Sequence, residues 1–283
     1  MIELSIGEKL FYSTVKLTSF KNQQPVGTGT GFFYAFMQDT QGKVPVIITN
    51  KHVIANCDQV VVIIHLAKDG RPSGELAHVT IELNNDIVIN HPDPSTDLCG
   101  LSIGFIFHQA QQEKKEIFYC EITANDIPKG SDWELFDGME EVTMLGCPNG
   151  LSDEVNNLPI ARRGITASPL SKNYNGKLEF MVDMACFPGS SGSPIFIYDR
   201  DGYLDRRTNS YMMGSSRVLL VGILYAGPLI NSTGEVTLSK SSTFSISSMM
   251  HLGYAIRSTA IMDMDILINQ KLAAERLGSK PGQ

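Results

Sequence analysis

The chain has 283 residues, 42% of them hydrophobic, enough to bury one large core or two modest ones. Its net charge of −7 and a longest basic cluster of only two residues, Arg162 and Arg163, which read as solvated surface charges, exclude the basic face that nucleic-acid binding requires. Residues 1–10 carry early acids and no continuous apolar run, which excludes a secretory signal, and no apolar stretch reaches membrane-spanning length; residues 218–224 come nearest and are strand-sized.

In chain order, residues 11–36 read as strand, turn, strand. Residues 13–17 alternate, the glycine run 27–31 (GTGTG) punctuates, and 32–36 resumes. That run lacks the Lys-Ser/Thr ending and following helix of a phosphate-binding loop. Residues 44–54, 59–66, 77–83 and 86–90 are short Val- and Ile-rich strands, separated by turn signals at 69–70, 72–74 and 84–85. Such closely spaced strands suggest an antiparallel barrel or sandwich, and residues 98–106 close this set. Residues 108–116 (HQAQQEKKE) are polar and helix-prone, an exposed excursion, and 121–136 form a crossover carrying the only tryptophan, Trp133. Residues 199–217 read as a polar loop, 217–228 as an apolar strand, and 231–250 as a Ser/Thr-rich segment without a clear period. A helix is predicted from Ser258, as N-cap, to residue 277, with Ile261, Met264, Ile266, Leu267 and Leu272 as its apolar stripe.

The chemistry concentrates in residues 187–196 (FPGSSGSPIF), where two glycines bracket a serine pair inside an apolar run. The backbone turns sharply there and presents a serine while its flanks enter a core. Serine is a poor nucleophile unless a base and an orienting acid stand by. Residues 46–54 (VIITNKHVI) deliver His52 at the end of a β-branched strand, and Asp97 opens the apolar run 97–103. Taken singly, His52 reads as a strand-end histidine, Asp97 as a cap and the serine pair as an ordinary turn. The order His52, Asp97, Ser191 is the chymotrypsin-type order among the three known for this triad. The other histidines, 65, 78, 91, 108 and 251, show no paired ligand spacing, so neither metal nor cofactor is expected, and His91 reads as structural. The five cysteines, 57, 99, 120, 147 and 186, read as scattered core thiols of a cytoplasmic protein.

With these motifs the sequence resembles trypsin-like serine peptidases, most closely the bacterial HtrA/Deg branch. The resemblance runs from about Thr28 to Asp265. It includes 141–150 as a strand ending in Gly-x-Pro, 161–168 as a Gly-Ile-Val-Ser-like strand, and 252–258 as the last strand. It implies an all-β fold of two antiparallel β-barrels, a chymotrypsin-like double barrel, with a C-terminal α-helix. Residues 1–122 would form the barrel carrying His52 and Asp97, 123–137 the crossover, 138–258 the barrel carrying Ser191, and 259–278 the helix, without a PDZ domain. It further implies a serine endopeptidase taking protein or peptide substrates. Ser191 is the nucleophile rather than Ser190 or Ser193, His52 the general base and acid, Asp97 its orienting group, and the N–H groups of Gly189 and Ser191 the oxyanion hole.

Substrate would meet Ala185 and Cys186 on one wall and Tyr225, Ala226 and Gly227 on the other. Two departures stand out. Ser190 replaces the aspartate that pairs with a newly cut N-terminus in digestive enzymes, so that activation is not expected. Ala185 occupies the position that selects Arg or Lys in trypsin, leaving a small-to-medium apolar pocket unless Arg257 or His251 intrudes and favours an acid. Asp183 is expected to be structural. The alternative is a protease-fold effector or scaffold, latent until a partner protein binds, and the Met pairs 212–213 and 249–250 are a candidate contact surface.

Overall fold

The computed structural model describes residues 3–38, 42–236 and 242–268. A short helix, α1 (Ile6–Phe11), opens the chain, its N-terminus closed by a reciprocal capping box between Ser5 and Glu8. The first half then builds strands β1 (Thr14–Lys21), β2 (Gln24–Gln38), β3 (Gly42–Thr49), β4 (Gln59–Lys68), β5 (Arg71–Glu82), β6 (Val88–Asn90), β7 (Cys99–Ser102) and β8 (Glu116–Phe118), with helix α2 (Gly104–Gln112) before β8. Their hydrogen-bonded order is β5-β4-β1-β2-β3-β7-β6, with β8 branching from β4. The sheet rolls up because one face of nearly every strand is apolar. In β4 buried and half-buried residues alternate strictly. Leu17, Ile47, Val62, Ile81 and Leu101, from β1, β3, β4, β5 and β7, meet in one core.

Short 3-10 turns at Ala124–Asp126 and Gly130–Glu134 carry the chain across to the second half. There follow β9 (Glu141–Gly146), β10 (Ile160–Thr166), β11 (Glu179–Asp183), β12 (Pro194–Asp199), β13 (Gly202–Asp205), β14 (Ser210–Met213), β15 (Arg217–Ala226), β16 (Leu229–Val236), β17 (Ser242–Met249) and β18 (Leu252–Arg257). Strands β10-β11-β18-β15-β12-β9 close into a barrel around Phe180, Val182, Ile195, Ile197 and Val221. A third core fills the seam between the two sheets, where Phe32, Tyr34 and Ile48 meet Leu145, Phe196 and Ile223. The C-terminal helix, described over residues 260–268, plugs this seam with Ala260, Ile261, Met264 and Ile268. The fold is thus the expected all-β double barrel with a C-terminal helix.

Several local expectations are corrected. The first turn is made by Asn22 and Gln23, at φ 50° and 64°, not by the glycines at 27–31, which lie inside β2. Glycine is required there by packing: a Cβ on Gly29 would run into the Val53 side chain, and one on Gly31 into Ile47. Residues 72–74 are strand, because Asp69 and Gly70 complete the preceding turn. The strand at 98–106 is only β7, and the polar helix begins at Gly104 instead of 108, since Ile103 and Ile106 fold back to cap the first core.

The loop at 199–217 holds the hairpin β13–β14, pinned by Arg206 donating to the Phe136 carbonyl. The segment 231–250 holds the hairpin β16–β17. Met212 and Met213 are exposed on β14. Ser258 does not cap the last helix through its side chain: its hydroxyl is buried without a partner, and its carbonyl accepts from Ile261. Ile266 faces solvent, because the helix turns its Ala260–Met264 face to the seam. Leu272 and residues 269–278 lie outside the described residues.

Candidate active site

The register of two strands joins His52 to Asp97. In the antiparallel pair β3–β7, Thr49 at the end of β3 lies opposite Cys99 at the start of β7, so the residues just beyond each strand emerge at the same edge. His52 sits there on a 3-10 turn, Lys51–Val53, and Asp97 two residues before β7. His52 Nδ1–H donates to Asp97 Oδ2 at 2.5 Å, and the His52 backbone N–H donates to Oδ1 at 3.1 Å. Asn50 fixes the same loop by donating its amide to the Asp97 carbonyl at 2.7 Å. Burial pushes the Asp97 carboxyl upward, but the hydrogen bonds and charge of His52 outweigh it and hold the group below the usual carboxylate range. A carboxylate only accepts, so this contact keeps the Nδ1 proton in place and leaves Nε2 as the basic nitrogen.

Ser191 arrives from the other barrel on the turn between β11 and β12. Gly189 and Gly192 adopt φ of 83° and 86°, backbone that side-chain-bearing residues avoid. The turn is clamped from both sheets. Thr30 of β2 accepts from the Cys147 N–H and donates to the Gly189 carbonyl, each at 2.9 Å. The Thr30 N–H donates to the Ser191 carbonyl at 2.9 Å, and Gly192 N–H donates to Leu224 of β15 at 2.8 Å. The Pro188 carbonyl accepts from Asn149 N–H at 2.6 Å. The backbone N–H groups of Gly189 and Ser191 have no acceptor among the described residues. Ser191 Oγ donates to the Tyr225 carbonyl at 3.4 Å. His52, Gly189 and Ser191 line one cleft of about 410 Å³.

The remaining expected residues fall as follows. Ala185 is half-buried six residues before Ser191; at the end of β15, Tyr225, whose carbonyl accepts from Ser191 Oγ, is half-buried and Ala226 exposed. Cys186 buries its thiol in the closed-barrel core, packed so tightly against Gly253 that a Cβ there would lie 2.6 Å from its sulfur. The Tyr225 ring stands 6.4 Å from that of Tyr254, and burial and the bonded, charged Glu179 push its phenol upward. Arg257 does not intrude on the wall. It stacks 4.9 Å from the Trp133 ring centroid and donates to the carbonyls of Leu170 and Lys172.

Arg162, read from sequence as surface, instead donates to the Ala185 carbonyl and lies 4.9 Å over the Phe187 ring, whose other neighbour is His251 at 5.6 Å. Asp183 is exposed at the end of β11. His91 is buried, accepts from Asp93 N–H, and brings Nε2 to 3.5 Å from Asp263 on the last helix. Sequence reasoning missed Thr30, Asn50 and Arg162; the Thr28–Thr30 alternation inside a glycine run was the one available signal for Thr30. Among the described residues no group of three or more His, Cys, Asp or Glu is placed to hold a metal, and no helix is long and apolar enough to cross a membrane.

A search among curated proteins finds no match. Among solved structures, a serine endoprotease from Yersinia pestis aligns with 95% of this chain and 68% of its own, at 16% identity and a TM-score of 0.48. A thermostable serine protease, AL20, from an extremophilic microorganism aligns over 91% and 97%, at 11% identity and 0.47. The sequence profile of the trypsin-like peptidase domain matches residues 29–204, more than half of the chain and a span that includes His52, Asp97 and Ser191. On that match the chain belongs to the family of trypsin-like peptidase domains.

Proposed function

We propose that this chain is a serine endopeptidase working through an acyl-enzyme on Ser191. The observation that carries the reading is the 2.5 Å His52–Asp97 contact at the edge of a cleft that also holds Ser191 and two uncommitted N–H groups. Rotation of the Ser191 hydroxyl away from the Tyr225 carbonyl, a long contact at 3.4 Å, offers its proton to His52 Nε2 as substrate binds. Ser191 Oγ then attacks the scissile carbonyl, and His52 takes the proton. The oxyanion is held by the Gly189 and Ser191 N–H groups. His52 returns the proton to the leaving amine, then deprotonates the water that hydrolyses the acyl ester, while Asp97 steadies the imidazolium.

The part of the chain up to residue 122 supplies base and acid, and the part from 138 supplies the nucleophile. The acyl side of the peptide adds as a strand along Tyr225, Ala226 and Gly227. Ala185 offers no carboxylate to a basic side chain, so cleavage after Arg or Lys is not favoured. The unpaired thiols suit a reducing compartment such as the cytoplasm.

A second reading, a latent effector awaiting a partner protein, is favoured by the engagement of Ser191 Oγ with Tyr225 instead of His52. Fluorophosphonate labelling read by mass spectrometry separates the two. An adduct on Ser191, absent in Ser191→Ala, supports the endopeptidase; a well-folded protein without adduct supports latency.

A further inference from the structure

The cleft beside Ser191 is asymmetric. Apart from the turn at Pro188–Ser191, its walls come from the first barrel: the β1–β2 hairpin, with Lys21, Val26 and Thr28, and the turn after His52, with Val53 and Cys57. None of the residues 225–227 lines it. A peptide extended through Ser191 with its acyl half along β15 therefore leaves the site through this cleft, so the cleft holds the residues on the leaving-group side of the scissile bond. Its near part is apolar, with Val26 more than half exposed and Val53 half-buried. Lys21 stands at the end of β1, exposed, and among the described residues it has no ion-pair partner. No carboxylate lines the cleft. The carboxylate on the adjoining turn, Asp58, accepts from the Asn22 N–H at 2.6 Å.

Resting on the endopeptidase reading, we propose that this cleft selects an acidic side chain on the leaving-group side of the substrate, through Lys21. Charge complementarity at an exposed site is modest, and opposite and like charges push in opposite senses, so acid over base is favoured by about three- to tenfold. The preference shrinks as salt rises.

Acyl transfer reads this side of the site alone. p-Nitrophenyl acetate acylates Ser191 and releases p-nitrophenol as a burst. A tripeptide amide then attacks the acyl ester: its amine nitrogen forms the new amide bond as the Ser191 Oγ–acyl bond breaks, and His52 passes the amine proton to Ser191 Oγ. Nucleophiles carrying Glu, Gln or Lys at their second or third residue are compared by the ratio of transfer product to acetate. The expected order is Glu over Gln over Lys, levelled in Lys21→Gln and inverted in Lys21→Glu, an inversion that misfolding cannot produce. Equal transfer to the Glu and Lys nucleophiles, or a preference unchanged in Lys21→Glu, overturns the inference while leaving the peptidase reading intact. Absence of any burst overturns the peptidase reading itself, and the inference with it.

Discussion

Gly189→Ala tests the oxyanion turn most directly. The Gly189 φ of 83° lies in the left-handed region, where an L-residue is disfavoured by about 1–2 kcal/mol. The added Cβ would lie 2.6 Å from the Cys147 carbonyl, 3.0 Å from the Asn149 nitrogen and 3.1 Å from the Gly150 nitrogen. All three are backbone atoms, so relief cannot come from a swinging side chain, and the Gly189 peptide itself must move. Moving it turns the N–H away from the acyl oxygen, and one lost oxyanion donor lowers the rate by about 100- to 1000-fold. The strain alone lowers Tm by roughly 2–8 °C for a chain of this size. The assay is the acylation rate with p-nitrophenyl acetate, read beside a thermal melt. Acylation within about threefold of wild type in a protein of unchanged Tm would refute the assignment of this N–H to the oxyanion site.

Asp97→Asn should lower kcat by about 10⁴-fold, because the amide donates to Nδ1 and leaves the Nε2 proton facing Ser191; near-normal turnover would show that His52 needs no carboxylate. The same variant has a pH signature. Against burial, hydrogen bonds from His52 hold the Asp97 carboxyl lower in the folded chain than in the unfolded one, so its contribution to stability is present above about pH 4 and fades as pH falls through the lower folded value. Urea midpoints of Asp97→Asn should therefore fall less steeply on acidification than those of wild type, and parallel curves would contradict the linkage. Burial pushes the Cys99 thiol up to about 12 and those of Cys147 and Cys186 up to about 11. The thiolate is the reactive form, so iodoacetamide at mildly alkaline pH should label half-buried Cys57 first in the native protein. Peptide mapping that finds Cys147 or Cys186 modified before Cys57 would contradict the packing.

Much of the candidate site was legible in the sequence because its chemistry is carried by short motifs whose local backbone demands are distinctive. The glycines at 189 and 192 announce a turn that other residues avoid, and β-branched runs ahead of His52 and after Asp97 announce strands. The order of the three residues then limits the constellation to one triad type. Alternation over residues 13–17 and the strand-sized apolar runs were enough to indicate an all-β chain. What the local pattern could not carry was every decision made by a distant neighbour. The glycines at 29 and 31 read as a turn because nothing nearby shows that Val53 and Ile47 occupy the space of their missing side chains. Thr30 reads as one threonine among several until two sheets close over it and its hydroxyl links Cys147 to Gly189. Arg162 reads as a solvated charge until β10 runs beside the Ala185–Phe187 segment, and Ile266 reads as core until the last helix sets its Ala260–Met264 face into the seam. Residue type and period determine which backbone states and which faces are affordable along the chain; which face meets which partner is decided by contacts between segments tens to more than a hundred residues apart, and those exist only once both sheets have formed.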